Sequence, residues 1–209
     1  MGLFEAVRST ALRGKVNAEL ALLQTKLSRL PLTLGVELYD ALEKTTPPPK
    51  LLAVIEDRYT TTVQQIKEKR NTKDAKELEF EKVTVHKERT TALQDSATEK
   101  TKTWFSDTAS QAQLQTSVQL LDREILLLKQ EFGKAVYDQV LEYYEQQAQS
   151  KTHKIKGKLA KAAAETFGSQ PKKDGVTSTL ETAFRERASI QSRIEAKNRE
   201  LQAIADGVR

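Results

Sequence analysis

The segment VNAELALLQTKLSRLPLTL, residues 16–34, contains an apolar residue at every third or fourth position. This spacing aligns the apolar residues in one narrow stripe along an α-helix, and such a stripe is the surface through which two helices pack on each other. The sequence therefore predicts an N-terminal helix that packs against another helix. The stripe consists of Val16, Leu20, Leu23, Leu27, Leu30 and Leu34.

Prolines divide the N-terminal part of the chain. Pro31 lies inside the stripe, where it removes one backbone hydrogen bond and clashes with the preceding turn, so we expect a kink or break near Leu30. A second short helix would then run from about Thr33 to Lys44. The three consecutive prolines at 47–49 predict its end. We therefore expect a first segment, residues 1–46, of amphipathic and heptad helices with a kink at Pro31.

The middle of the chain predicts very long helices, because residues 50–132 contain neither glycine nor proline. Its first half has a thin apolar stripe and its second half a denser one, and we expect a turn between them near residues 104–107. The thin stripe is Leu51, Ile55, Tyr59, Ile66, Leu78, Val85 and Leu93. The dense stripe is Val118, Leu121, Ile125, Leu128, Phe132, Val136, Val140 and Tyr143.

Gly168 and Pro171 predict the end of the last long helix, and a final helix follows them. This gives a helical hairpin with a basic amphipathic end over residues 50–168 and a C-terminal helix over 175–207. The predicted fold is all-α: an elongated antiparallel coiled coil of four to five helices, two of them long. The composition agrees, since 30% of the residues are charged and only 38% are hydrophobic.

Motifs that support catalysis are lacking in the sequence. There is no cysteine, no glycine-rich phosphate loop and no nucleophile motif, and the two histidines, His86 and His153, have no partner at metal-ligand spacing. We therefore expect a protein that is not an enzyme, with no metal and no cofactor.

An internal similarity appears when residues 20–42 are aligned with 118–140 without a gap. Three of the identities that recur in register lie in the pattern apolar-Gly-x-x-apolar-Tyr-Asp. Glycine inside a helix costs about 1 kcal/mol relative to alanine, so we interpret each glycine as a point where two backbones approach closely. Duplication and coincidence between two leucine-rich heptad segments both remain open. The paired residues are Gly35 and Gly133, Tyr39 and Tyr137, and Asp40 and Asp138.

The strongest functional signal is a lysine-rich segment. Residues 151–173 contain seven lysines and one acidic residue, Glu165. On a helical wheel the lysines flank an apolar face, a pattern typical of helices that lie on anionic membranes. Packing of this face against a partner helix, with solvated lysines, is the alternative. Nucleic acid is the least favoured ligand because the segment lacks arginine. The lysines we assign to binding are Lys151, Lys154, Lys156, Lys158 and Lys161.

The N-terminus repeats this pattern on a smaller scale. Phe4 belongs to a short apolar face that Arg8 and Arg13 flank, so these three residues are candidates for the same membrane or acidic partner. Equally, they can form the first turns of the coiled coil.

The short N-terminal helix beginning Met1-Gly2-Leu3-Phe4, followed by long charged helices, resembles two groups of membrane remodellers. These are the BAR domains and the phage-shock-protein and ESCRT-III-like proteins. The resemblance is limited to the helical plan and those four residues, and it implies a membrane-shaping scaffold.

Together these features predict a non-enzymatic helical scaffold that acts at an anionic membrane surface. We expect a cytoplasmic protein, peripheral on a membrane, that forms homo-oligomers because thin apolar stripes leave its helices partly uncovered. The alternative is a coiled-coil subunit of a larger protein complex, bound to other coiled-coil proteins and without lipid contact.

Overall fold

The computed structural model describes residues 3–45, 47, 49–93, 97–158 and 175–206, with side chains at 9–45, 47, 49–90, 92, 98–146 and 175–206. The chain is all-α. Within the described residues four helices form: α1 Leu3–Lys44, α2 Pro49–Leu93, α3 Ala97–Lys158 and α4 Gly175–Ala205.

The proline run ends the first helix, as the sequence predicts. Thr45 closes α1, because its backbone amide and its hydroxyl both donate to the carbonyl oxygen of Ala41, at 3.0 and 2.8 Å. Helix α2 then begins at Pro49. Proline suits the first turn of a helix, where the missing N–H would have no partner within the helix.

The expected break at Pro31 is wrong. Helix α1 continues from Leu3 through Pro31 to Lys44, so the separate short helix from Thr33 does not exist. Proline inside a helix costs about 3 kcal/mol. Leu30 and Leu34, on either side of it, are both buried, so tertiary packing keeps the helix continuous.

The chain divides into two compact units. Unit 1 comprises residues 1–55 and 133–209, and unit 2 comprises residues 56–132. This division follows contacts between distant parts of the chain. The segments predicted from the sequence are instead bounded by proline and glycine residues, and they stay a prediction. They are 1–46, 50–168 and 175–207.

In unit 1, α4 lies antiparallel to α1. The Arg13 guanidinium donates to the carbonyl oxygen of Ile204 at 3.4 Å, and the Lys197 ammonium lies 2.7 Å from the Glu19 carboxylate. Further along α1, Leu23 and Leu30 form a buried cluster with Ile190 of α4. The predicted stripe is buried along its length, and its middle part, Leu23 to Leu30, meets α4. Val16, Leu20, Leu23, Leu30 and Leu34 are buried and Leu27 is partly buried.

Also in unit 1, α1 and α3 cross at the two glycines that the sequence similarity aligns. A methyl group on Gly133 would overlap the Pro31 carbonyl oxygen and the Gly35 Cα, and would lie 2.6 Å from the Gly35 nitrogen. All three atoms belong to the backbone, so no side-chain rotation can relieve the clash. Glycine is therefore required sterically at Gly133 for the helices to approach this closely.

In unit 2, α2 and α3 form an antiparallel pair. Lys69 and Lys73 of α2 contact Glu124 and Asp122 of α3 at 2.7 and 2.6 Å. Further along α2, the Lys87 ammonium donates to the Thr108 hydroxyl at 2.9 Å. The predicted turn at residues 104–107 is wrong, because these residues lie inside α3, and α2 has already ended at Leu93.

The thin apolar stripe predicted on α2 is correct only in its first part. Leu51, Ile55 and Ile66 are buried, but Leu78 and Val85 are 52% and 46% exposed. Beyond Ile66 the partly buried positions keep the three-and-four spacing and leave these two residues on another face. The partly buried residues there are Lys69, Lys73, Lys76, Phe80, Val83, Lys87 and Thr90, with Thr84 beside Val83.

Replacing Gly133 by alanine will destabilise unit 1. The added methyl group meets only backbone atoms, so the helices must separate, and overpacking of this kind costs typically about 1–3 kcal/mol. Thermal and urea unfolding followed by circular dichroism will show a lower midpoint for Gly133→Ala.

Gly14 supplies the matched control, since it lies inside α1 and, apart from the adjoining helix backbone and its two chain neighbours, no atom lies within 4 Å of the position that an added methyl group would occupy. Gly14→Ala should raise the midpoint, because alanine favours a helix by about 1 kcal/mol over glycine. Equal stabilisation by both substitutions would contradict the crossing.

The Glu19–Lys197 contact gives the α1–α4 pair a predictable response to pH. The hydrogen bond from Lys197 lowers the pKa of Glu19 below its ordinary value, and the same bond, with one to Glu200, raises the pKa of Lys197. The stabilisation by Glu19 is present above its ordinary pKa and is lost as pH falls through the lowered value. The stabilisation by Lys197 is present below its ordinary pKa and is lost as pH rises through the raised value.

Lys197→Met should therefore lower the thermal midpoint by the same amount between about pH 6 and 9, and by less as pH falls below about 4. Lys26→Met, at an exposed residue of α1, is the control. A pH-independent difference between Lys197→Met and the wild type down to about pH 3 would refute this linkage.

Candidate functional site

The lysine-rich end of α3 is the candidate site. The helix continues through the first part of this segment and ends at Lys158, so Lys151, Lys154, Lys156 and Lys158 all lie in regular helix. No acidic residue occurs from Gln146 to Lys158. The site is therefore a stretch of helix in which every charged residue is a lysine. Lys161 lies outside the described residues.

The helical register sorts these positions into rows. Residues 151, 154 and 158 are spaced three and four apart, which aligns them along one side of a helix, whereas residue 156 falls in a different row. Ile155 neighbours the lysine row in the same register. A row of cations beside an apolar position can bind an anionic surface, because lysine reaches its charge to polar headgroups while its aliphatic part stays on apolar material.

The three N-terminal candidates have different surroundings. Phe4 and Arg8 lie in the first turns of α1. Arg13 lies farther along the helix, where its guanidinium donates to the carbonyl oxygen of Ile204 near the end of α4. Carbonyl groups at a helix C-terminus attract cations, so Arg13 contributes to the α1–α4 contact.

The two Tyr-Asp pairs occupy unequal environments. Tyr39 is buried, with 1% of its surface exposed, whereas Tyr137 is half-buried. The Arg187 guanidinium lies 6.0 Å from the centre of the Tyr137 ring. Burial raises the pKa of Tyr137, and Arg187 partly opposes that shift. The phenol therefore stays protonated at neutral pH and serves as a packing surface for a cation. Asp40 is partly buried and Asp138 is exposed.

Arg187 also joins α4 to the nearby part of α3. Its Nη1 atom lies 4.0 Å from the Glu145 carboxylate. One turn earlier in α4, the Phe184 ring stacks on Tyr144 with 4.4 Å between the ring centres. These contacts hold α4 against the residues of α3 that precede the lysine-rich end.

Sequence reasoning missed an exposed apolar face on α2. Leu78 and Val85 line a shallow groove together with charged residues on the same side of the helix. The seven-residue interval between them is a heptad signal, but we assigned both residues to the buried stripe. The charged residues of this groove are Glu81, Lys82 and Arg89, and His86 also lines it.

Two other kinds of site are absent from the described part of the chain. Within those ranges, no three or more histidine or acidic side chains are grouped closely enough to bind a metal ion. None of the described helices has an apolar stretch long enough to cross a bilayer.

The comparisons with known proteins found no matching family model, no matching curated protein and no matching solved structure.

Proposed function

We propose that this chain is a non-enzymatic helical scaffold that binds an anionic membrane surface through the lysine-rich end of α3. The observation that supports the proposal is the continuation of α3 to Lys158 through a stretch with four lysines and no acidic residue. A helix gives these charges a fixed spacing, so several of them can reach the same surface together.

The charge is sufficient for reversible binding. Each lysine close to an anionic bilayer contributes about 1 kcal/mol, and this contribution falls off within a Debye length. Four lysines in eight residues therefore supply on the order of 4 kcal/mol, which is modest and sensitive to salt. Apolar positions beside the lysine row add to the affinity when they contact the bilayer. Lys161, Phe4 and Arg8 stay sequence-based candidates for the same ligand.

The proposed scaffold is built from antiparallel coiled coils. In unit 1 the spacing of buried residues along α1, and in unit 2 the spacing of partly buried residues along α2, follow the three-and-four pattern that coiled coils require. The sequence-based resemblance to the BAR and phage-shock-protein or ESCRT-III-like membrane remodellers points to the same kind of scaffold, although α1 continues to Lys44 and is not a short N-terminal helix.

A cytoplasmic coiled-coil subunit without lipid contact is the second candidate. The observation that favours it is the set of large apolar side chains exposed on helix surfaces, which a protein partner would cover. They include Leu78, Val85, Leu120, Leu126 and Leu127.

Co-sedimentation with vesicles separates the two candidates. Wild-type protein should pellet with vesicles that contain phosphatidylserine, should not pellet with purely zwitterionic vesicles, and should lose most of its binding when salt is raised to about 0.5 M. Reversal of the four lysines of the site, by Lys151→Glu, Lys154→Glu, Lys156→Glu and Lys158→Glu, should abolish the binding.

A control variant changes the same net charge elsewhere. It reverses four lysines that are exposed on other parts of the helices, with Lys26→Glu, Lys67→Glu, Lys102→Glu and Lys134→Glu. This control should keep most of the binding, since the site itself is intact. Equal pelleting of the wild type and the site variant would exclude the lysine-rich end as the binding site. A wild type that does not pellet with anionic vesicles would exclude the membrane proposal and favour the protein-binding candidate.

A further inference from the structure

Residues 74–89 of α2 divide into an acidic half and a basic half. Residues 74–81 contain four acidic residues and one lysine, and residues 82–89 contain three basic residues and one glutamate. The change of sign falls between Glu81 and Lys82. A helix with this arrangement is complementary in charge to a second copy that runs in the opposite direction.

The same residues present an apolar strip on the exposed side of α2. Leu78 and Val85 stand one heptad apart, with Glu81 and Lys82 between them, and all four side chains are exposed. Lys73, Phe80 and Lys87, which are partly buried, lie on the opposite side of the helix, toward α3. The strip is therefore open to a partner while the hairpin of unit 2 stays intact.

We propose that residues 74–89 of α2 pair antiparallel with the same residues of a second copy of this chain. A two-fold axis between Glu81 and Lys82 places each Leu78 beside the Val85 of the other copy. It also places each Glu81 beside the other Lys82.

The outermost charges agree with this register. Asp74 of one copy meets Arg89 of the other, so opposite charges face each other at both ends of the paired segment. A parallel pair would instead put Glu81 beside Glu81 and Lys82 beside Lys82. Repulsion of like charges therefore selects the antiparallel orientation. The proposal is independent of lipid binding, since it involves no residue of the lysine-rich end.

Charge reversal with rescue tests the pairing in the full chain. Sedimentation equilibrium should show a reversible dimer of the wild type at about 100 µM, as expected for a short interface. Glu81→Lys alone, and Lys82→Glu alone, should each weaken the dimer about tenfold, because each places like charges together twice per dimer. The double variant Glu81→Lys/Lys82→Glu restores opposite charges and should recover the wild-type dimer constant.

Glu68→Lys is the matched control, because Glu68 is an exposed residue of the same helix outside residues 74–89. It should leave the dimer constant unchanged, and circular dichroism should show equal helix content in all variants. A wild type that is monomeric at about 100 µM would overturn the proposal. So would a dimer that neither single reversal weakens, or one that the double variant fails to restore.

Disulfide trapping tests the orientation. Because the chain has no cysteine of its own, only the introduced thiols can form a disulfide. A mixture of the Leu78→Cys and Val85→Cys proteins should form a cross-linked dimer on mild oxidation, whereas either protein alone should form much less. Efficient cross-linking of Leu78→Cys alone would overturn the antiparallel register.

Discussion

The backbone contact between Gly35 and Gly133 determines where α1 and α3 meet, and the core of unit 1 depends on that position. Below a certain distance two helices can pack only if neither has a side chain at the point of contact. With glycine at both positions, the apolar residues that flank the crossing on each helix are buried: Leu34, Leu38 and Leu42 on α1, and Phe132, Val136 and Val140 on α3. Helix α4 adds its own buried residues to this unit, among them Val176, Leu180 and Phe184.

The equivalence of the two glycines in the sequence similarity agrees with their meeting in the structure. When two similar segments contact each other through equivalent residues, the arrangement approximates a two-fold axis, as in symmetric dimers. The Tyr-Asp pairs depart from that symmetry. Tyr39 is buried, whereas Tyr137 remains half-buried beside Arg187 of α4. We interpret the repeated motif as a sequence pattern that allows two helices to cross closely. The two copies differ in their surroundings because Arg187 of α4 lies beside Tyr137.

Much of the fold could be predicted from the sequence, because helix-forming residues and proline act locally. The spacing of apolar residues predicts the all-α class and the apolar stripe of α1. The prolines predict where α1 ends. Pro31 misled the prediction because burial of Leu30 and Leu34 is a tertiary effect. Leu78 and Val85 misled the prediction for a related reason, because the face of α2 that is buried depends on where α3 lies. Lysines of α2 can lie on that face when acidic residues of α3 are opposite them. The lysine-rich candidate site was visible in composition, but the exposed face of α2 required the structure.

The α1–α4 contact of unit 1 and the α2–α3 contact of unit 2 differ in composition, and this difference affects how each responds to salt. In unit 1 the α1–α4 contact combines the Glu19–Lys197 ion pair with a buried cluster of Leu23, Leu30 and Ile190, and burial of apolar surface is not weakened by ordinary salt. In unit 2 the contacts between α2 and α3 include partly exposed pairs of lysine with aspartate and glutamate, which mobile ions screen. Raising ionic strength should therefore weaken the α2–α3 contacts of unit 2 more than the apolar part of the α1–α4 contact in unit 1.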